Sequence, residues 1–107
     1  MNLRALHYLI ALADCLHFSR AAERCSVTQS TLSIQLRKLE EYLGVTLFDR
    51  NRAHVMLTAE GEEVLRLARI VVGAEEEILR ICRARPRSAR LSLTLIDEIN
   101  YASTRSD

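Results

Sequence analysis

The chain has 107 residues, of which 49% are hydrophobic and 27% are charged, and its formal net charge is +1. These values are ordinary for one globular domain with a small core, and they exclude the intrinsically disordered class. The N-terminal run MNLRALHYLIALADCL contains charged residues and no small-residue cleavage site. It is therefore predicted to be neither a signal peptide nor a membrane span, and the protein is predicted to be cytoplasmic, with no membrane partner.

The cysteines and histidines give no indication of catalysis or metal binding. The cysteines are odd in number and share no close spacing: Cys15, Cys25 and Cys82. We interpret all three as small buried apolar residues; a redox-active thiol at Cys25 is the alternative, and its place on an apolar helix face disfavours it. The histidines have no nucleophile or carboxylate at a recognisable spacing: His7, His17 and His54. The chain is therefore predicted not to be an enzyme and to hold no metal or cofactor.

The first two predicted elements are helices, because three glycines and one proline leave room for few loops. Asn2 is expected to cap a first helix with a 3.6-residue apolar period, carried by Leu6, Leu9, Ile10 and Ala13. Ser19 is expected to cap a short second helix over residues 19–25. Its inward face is predicted to comprise Phe18, Ala21, Ala22 and Cys25. The two alanines lack bulk, so another helix can cross closely over them.

The segment TQSTLSIQLRKLEEYLG predicts a third helix, with Thr28 as its cap and Gly44 as its stop. Only Ser26 and Val27 separate it from the second helix, and so tight a connection favours helix-turn-helix geometry. Its core side is predicted to be Leu32, Leu36, Leu39 and Leu43, and its opposite side Ser30, Ser33, Ile34 and Arg37. Short polar side chains, an arginine and one apolar group suit the edges of bases in the major groove. An ordinary amphipathic helix with a polar outer face is the alternative for this segment taken alone.

Two short β-prone runs, VTLFDR and HVMLT, follow this helix and predict a hairpin with residues 51–53 between its strands. Arg50 and Arg52 are placed at its tip, with His54 adjacent. A hairpin directly after a helix-turn-helix is typical of a wing, and a basic tip suits a phosphate or the minor groove. The alternative is that both arginines are solvated loop charges.

The stretch FSRAAERCSVTQSTLSIQLRKLEEYLGVTLFDRNRAHVMLTAEG resembles the DNA-binding domain of LysR-type transcriptional regulators, and the resemblance runs from about residue 1 to residue 85. The elements AAE, TQSTLS, LRKLEEYLGVTLF and LTAEG occur together, in order and at the family spacing. Within the family, MNLRALHYLIALADCLHFSRAAERC most resembles the OxyR peroxide-responsive branch. The fold class that follows is mainly α: a winged helix-turn-helix with a small β-hairpin wing and a long C-terminal linker helix.

The resemblance also implies roles for individual residues. Base edges and nearby phosphates would be approached by Gln29, Ser30, Ser33 and Arg37, the DNA backbone by Thr31, and the wing contacts would come from Arg50 and Arg52. Two departures matter. The family often has proline where this chain has Ser30, and many members have a polar or basic residue where it has Ile34. The cap geometry and the preferred operator of this chain therefore need not match those of other family members.

A long linker helix is predicted from Thr58 to about Arg85. Its apolar residues alternate steps of three and four along one seam: Val64, Leu67, Val71, Ala74, Ile78 and Ile81. Such a heptad seam favours a coiled coil of two helices. LysR-type regulators dimerise through this helix, so a homodimer or a higher oligomer is expected. A second stripe, Leu65, Val72 and Leu79, is expected to pack on the domain. A single helix folded back on its own core is the alternative, but it would leave the first seam exposed.

Three segments are thus predicted: 1–58 as the winged helix-turn-helix DNA-binding domain, 59–85 as the dimerisation linker helix, and 86–107 as a connector with the remnant of a first effector-domain strand. The connector is basic through Arg83, Arg85, Arg87 and Arg90, and the strand pattern is Leu91, Leu93 and Leu95. Because the sequence given stops at Asp107, the small-molecule effector site is expected to be absent. An excised fragment and a natural truncation both stay open.

Two functions of different classes follow. The first is sequence-specific binding of double-stranded DNA by a homodimeric transcriptional regulator that lacks the effector-binding domain. The alternative is a dimerisation module that inhibits a full-length regulator by forming heterodimers with it, and the linker-helix seam supports both.

Overall fold

The structure, a computed structural model, describes residues 1–51 and 54–85. Its elements in chain order are α1 (Leu3–Cys15), α2 (Phe18–Arg24), α3 (Gln29–Leu43), β1 (Phe48–Asp49), β2 (Met56–Leu57) and α4 (Ala59–Arg83). The predicted class, mainly α with a small hairpin and a long last helix, is confirmed. The predicted connector and strand over residues 86–107 lie outside the described residues, as does Arg52.

Helix α1 begins where the sequence predicts. The Asn2 side chain accepts a hydrogen bond from the Ala5 N–H at 2.8 Å, which satisfies one of the free donors of the first turn. Leu9 and Leu12 on its inner face are fully buried. The helix ends at Cys15, and Leu16 caps it with a left-handed backbone, φ of 50°.

Helix α2 starts one residue earlier than predicted, and Ser19 is not its cap. His17 takes that position, with its ring Nδ1 accepting from the Arg20 N–H at 3.4 Å. Ser19 lies inside the first turn, and its hydroxyl is 2.9 Å from the same ring nitrogen, so it is not placed to accept from the backbone as a cap would. Ala21 and Ala22 are buried as predicted, while Phe18 and Cys25 are half-buried.

Helix α3 has the predicted cap and stop. Thr28 Oγ1 accepts from the Thr31 N–H at 3.1 Å, and Gly44 is left-handed with φ of 75°. The predicted leucine side is buried, fully at Leu32, Leu36 and Leu39 and partly at Leu43. The turn from α2 passes through Ser26, another left-handed residue.

The hairpin forms, but its strands have two residues each instead of the longer predicted runs. Phe48 pairs with Leu57 and Asp49 with Met56 in antiparallel register. At the end toward α3, the Leu47 and Phe48 N–H groups donate to the Glu40 carboxylate, while the Thr58 N–H donates to the Leu47 carbonyl oxygen at 2.9 Å. The Glu40 side chain thus links α3 to β1, and one backbone hydrogen bond continues past the two paired residues.

Helix α4 is anchored at its start by close packing. Thr58 Oγ1 accepts from the Gly61 N–H at 2.9 Å, and Gly61 is buried. A Cβ at Gly61 would lie 2.1 Å from the Leu47 carbonyl oxygen. Only glycine fits at this position without displacing the backbone.

The first half of α4 belongs to the compact N-terminal unit, which comprises Met1–Gly73; a second unit begins at Ala74. Ala68 and Val72 are buried in the core of the first unit, with Leu65 packed against it. Two of the three residues predicted to form the second stripe therefore pack on the domain, whereas Leu79 is exposed. The division of roles at residue 58 stays a prediction.

The prediction that all three cysteines are buried is wrong. Cys15 and Cys25 are half-buried at the ends of α1 and α2, and Cys82 is exposed near the end of α4. Burial raises the pKa of the Cys25 thiol, with Arg24 opposing the rise, so the thiolate that redox chemistry needs is disfavoured. In the part of the chain that the structure describes, no helix is long and apolar enough to cross a membrane.

Candidate nucleic-acid interface

The outer face of α3 brings five of the predicted residues together. They line one shallow, open depression and are Gln29, Ser30, Ser33, Ile34 and Arg37. Ser33 is half-buried and the other four are exposed. We call these five residues the α3 outer face. Their contact with DNA stays a prediction, but within the N-terminal unit they form one continuous surface.

The start of α3 adds backbone donors to this face. Thr28 Oγ1 accepts a hydrogen bond from the Thr31 N–H. The N–H groups of Gln29 and Ser30 lie in the same first turn, where the helix provides no backbone acceptor for them. No acidic side chain lies in that turn, so the positive end of the helix dipole is not neutralised there. Ser30 contributes an N–H that proline, the common family residue, lacks.

Thr31, predicted to contact the DNA backbone, is also exposed, but its hydroxyl already has a partner. Thr28 donates its own hydroxyl to Thr31 Oγ1 at 2.9 Å. Because Thr31 Oγ1 accepts in that bond, its own hydrogen is available to a second acceptor. The arrangement suits donation to a phosphate oxygen.

Glu40, in the last turn of α3, has a structural role. Its side chain is 11% exposed, and its Oε2 accepts from the Leu47 and Phe48 N–H groups at 2.7 and 3.3 Å. It joins α3 to the hairpin. Sequence reasoning missed this, although a signal was present: Glu40 lies one turn from Leu36 and Leu43, on the edge of the core side, where a carboxylate needs partners.

Arg50 does not project from the hairpin tip as predicted. Its side chain is only 22% exposed, with Nη2 at 2.9 Å from Glu40 Oε1 and the guanidinium carbon 5.8 Å from the centre of the Phe18 ring. Nη2 lacks the alignment of a hydrogen bond to Glu40, so the contact is chiefly Coulombic. The half-buried carboxylate draws the cation inward, away from the solvated position that a wing tip requires. Among the neighbouring wing residues, His54 is exposed and Arg52 lies outside the described residues.

A second charged cluster orients α4 within the N-terminal unit. Asp14 Oδ1 accepts from Arg69 at 2.6 Å and Asp14 Oδ2 from Arg24 at 3.2 Å. The hydrogen bond from Arg69, together with the charges of both arginines, holds the pKa of the Asp14 carboxyl below its usual value. Arg69 is 55 residues from Asp14 in the sequence, and no local pattern indicates the pairing.

The chain matches the family model described as bacterial regulatory helix-turn-helix protein, lysR family, over residues 3–62. It is 41% identical over 100 residues to the HTH-type transcriptional regulator EstR of Acinetobacter baylyi. The aligned region covers 92% of this chain and 33% of EstR. The chain thus spans about a third of that relative's length. Regulators of this kind are not enzymes.

Solved structures agree with this match. Full-length OxyR from Pseudomonas aeruginosa superposes with a TM-score of 0.76 at 43% identity, over 78% of this chain and 28% of that one. The BenM DNA-binding domain in complex with catB site 1 DNA superposes with a TM-score of 0.74 at 30% identity, over 78% of this chain and 93% of that one. OxyR is among the relatives, as the N-terminal resemblance predicts. The helix-turn-helix, its wing and the family pattern coincide over more than half of the sequence, and the chain belongs to the lysR family of bacterial regulatory helix-turn-helix proteins.

Proposed function

We propose that this chain binds double-stranded DNA at specific sequences through the α3 outer face, and that it does so as a homodimer. The observation that carries the proposal is the α3 outer face itself: four of its five side chains are exposed, and none of the described residues of the N-terminal unit covers the depression they line. A helix presents its first turns to the major groove, where short donors fit between base edges.

The residues divide by what they can contact. Gln29, Ser30 and Ser33 offer hydrogen bonds to base edges, and Arg37 has the length for a guanine or a phosphate. Thr31, at the margin of the face, donates to the DNA backbone. The BenM structure, in which a similar domain is in complex with DNA, supports this assignment by likeness.

The hairpin supplies a second contact, on a phosphate or in the minor groove. A phosphate contact by Arg50 requires its guanidinium to leave Glu40, which is 2.9 Å away. Leaving a half-buried carboxylate unpaired is unfavourable. We therefore expect Arg52 to contribute more of the wing's affinity than Arg50.

The homodimer rests on exposed apolar residues of α4. Leu67 is 51% and Ile78 62% exposed, and Val71 and Ile81 are exposed as well. Each recurs at a step of three or four with Ala74 between them, as a seam between two helices requires. Val64 packs on the core instead, so we place the start of the seam at Leu67. A dimer reads two half-sites and thereby gains the specificity that one module lacks.

The experiment is selection of bound sequences from random duplex DNA by the purified protein. We expect a palindromic motif with two half-sites. Recovery of random sequences alone would contradict specific binding, and a motif with a single half-site would contradict the dimer.

The heterodimer inhibitor draws on the same exposed residues of α4. Mixing this chain with a full-length lysR-family regulator distinguishes the two functions. An inhibitor forms a mixed dimer and lowers the regulator's DNA binding, yet gives no DNA shift by itself. A shift by this chain alone supports the first function.

A further inference from the structure

Ile34 is the apolar member of an otherwise polar face. Its side chain is 52% exposed, and it lines the same depression as Ser30, Ser33 and Arg37. It is not among the residues that form or pack against the core of the domain. The described residues therefore give no packing reason for an isoleucine at this position.

The shape of the neighbourhood leaves this side chain prominent. Side chains of a helix lean toward its N-terminus, so Ile34 lies over the turn that contains Ser30. Serine is small, and Ile34 is β-branched and held close to one rotamer in a helix. A stiff apolar group thus stands between short hydrogen-bonding groups, at the centre of the surface proposed to enter the groove.

The major groove offers few partners for such a group. Every base presents a hydrogen-bonding group there, but only thymine adds a methyl group, on its C5 atom, beside its O4 acceptor. An isoleucine against a polar edge would desolvate that edge without replacing its hydrogen bonds. Contact between a thymine methyl group and the isoleucine instead removes apolar surface of both from water.

We propose that Ile34 is a specificity-determining residue that selects thymine, through its C5 methyl group, at one position in each half-site. This inference rests on the proposed DNA binding and deepens it, because it names the chemical group that one side chain recognises. A second protein surface covering Ile34 is the competing occupant, and it would make DNA affinity indifferent to that methyl group.

The test replaces thymine by deoxyuracil, one position at a time, in the motif recovered by selection. Deoxyuracil keeps the pairing and the hydrogen-bonding edge and removes only the methyl group. Affinity is measured by fluorescence anisotropy for the wild type, for Ile34→Ser and for Ile34→Val as the matched control that keeps an apolar β-branched side chain. Thermal melting checks that all three proteins are equally folded.

In the wild type we expect a loss of about four-fold at one position of a half-site, the value for burying about one methyl group. Ile34→Val should retain most of that loss and Ile34→Ser should show none. Cytosine and 5-methylcytosine at the same position give an independent comparison: the methylated duplex should bind several-fold tighter to the wild type and equally well to Ile34→Ser.

Equal wild-type affinity for the thymine and deoxyuracil duplexes at every position would overturn the inference, as would a loss that persists unchanged in Ile34→Ser. These outcomes leave the proposed function intact, since the protein still binds its motif. A wild type that selects no motif would instead remove the proposed function.

Discussion

Helices α3 and α4 both bury one face in the N-terminal unit, yet their exposed faces differ in kind. The α3 outer face consists of polar residues, an arginine and one isoleucine, whereas α4 exposes large apolar residues at several positions, Leu67 and Ile78 among them. Polar groups lose nothing by staying in water, but exposed apolar groups gain by association. The contrast supports the two proposals made above, a hydrated, hydrogen-bonding partner for the α3 outer face and an apolar partner for α4.

The most damaging change to this arrangement should be Gly61→Ala, which breaks the anchor of α4. The new Cβ would lie 2.1 Å from the Leu47 carbonyl oxygen, and the backbone must shift to admit it. We expect a loss of about 3 kcal/mol in the free energy of unfolding, measured by urea denaturation.

The matched control is Gly73→Ala in the same helix, where an added Cβ meets nothing within 4 Å. It should stabilise the protein by roughly 0.5–1 kcal/mol, because alanine favours the helix. Equal effects of the two variants would show that helix propensity, and not the close approach to Leu47, sets the result at Gly61.

Ile78→Asp tests the proposed apolar seam of α4. Since Ile78 is 62% exposed, the substitution should leave the fold unchanged and weaken the dimer. We expect the dimer dissociation constant to rise about 10- to 100-fold, the range for losing one buried isoleucine. Sedimentation equilibrium measures it, with Glu76→Gln as the control on an exposed residue of α4. An unchanged constant would exclude Ile78 from the seam.

The polar side is tested by Arg37→Ala. If Arg37 reads a base, the affinity for the selected motif should fall by roughly 1–3 kcal/mol, while non-specific binding falls less. Arg66→Ala removes an exposed arginine of α4 and should have little effect. Anisotropy titrations on specific and random duplexes measure both, and unchanged affinity for the motif would remove Arg37 from the interface.

A double-mutant cycle with Glu40 tests whether the Arg50 side chain pairs with Glu40. Glu40→Gln keeps an oxygen for the Leu47 and Phe48 N–H groups but removes the charge opposite Arg50. We expect Glu40→Gln and Arg50→Gln each to lower stability by about 1–2 kcal/mol, and the double variant to lose less than their sum. Urea denaturation of the four proteins measures the coupling.

DNA binding by the same variants gives a second readout. If Arg50 contacts a phosphate, Arg50→Gln should reduce the salt slope of binding by about one, whereas Glu40→Gln should not weaken binding. Parallel weakening by both, with the salt slope unchanged, would assign Arg50 to the domain interior.

The smallest effect is expected at Asp14 and depends on pH. Its folded pKa lies below the usual value because of Arg69 and Arg24. The stabilisation is therefore fully present above the unfolded pKa of about 3.9 and is lost as the pH falls through the lower folded pKa. Asp14→Asn should reduce stability by less than about 1 kcal/mol at neutral pH, and the difference from wild type should disappear in acid. A difference that is constant with pH would show that the ion pairs contribute nothing.

Local rules were sufficient for much of this fold. The caps at Asn2 and Thr28 and the stop at Gly44 follow from short-range hydrogen bonding and backbone preference, and all three are present. The prediction that Ser19 caps α2 is wrong because His17, two residues earlier, offers a competing acceptor. The sequence pattern does not indicate which of the two residues is the cap.

Pairings across the chain could not be predicted in the same way. Arg50 pairs with Glu40 across the α3–β1 connection and Arg69 with Asp14 across most of the domain, so both depend on the assembled fold. Four residues of the α3 outer face were predictable because helical periodicity gathers them, whereas Gln29 was predicted from the family resemblance. For Arg50, the sequence predicted a place at the hairpin tip but gave no direction for its side chain, which lies against Glu40.

Thr58 has a double attachment with a mechanical consequence. Its hydroxyl donates to the Thr46 carbonyl oxygen at 2.5 Å and accepts from the Gly61 N–H at 2.9 Å, and it is the one residue between β2 and α4. No slack loop separates the two elements. In the proposed complex with DNA, a load on the hairpin would therefore pass directly to the first turn of α4 through Thr58.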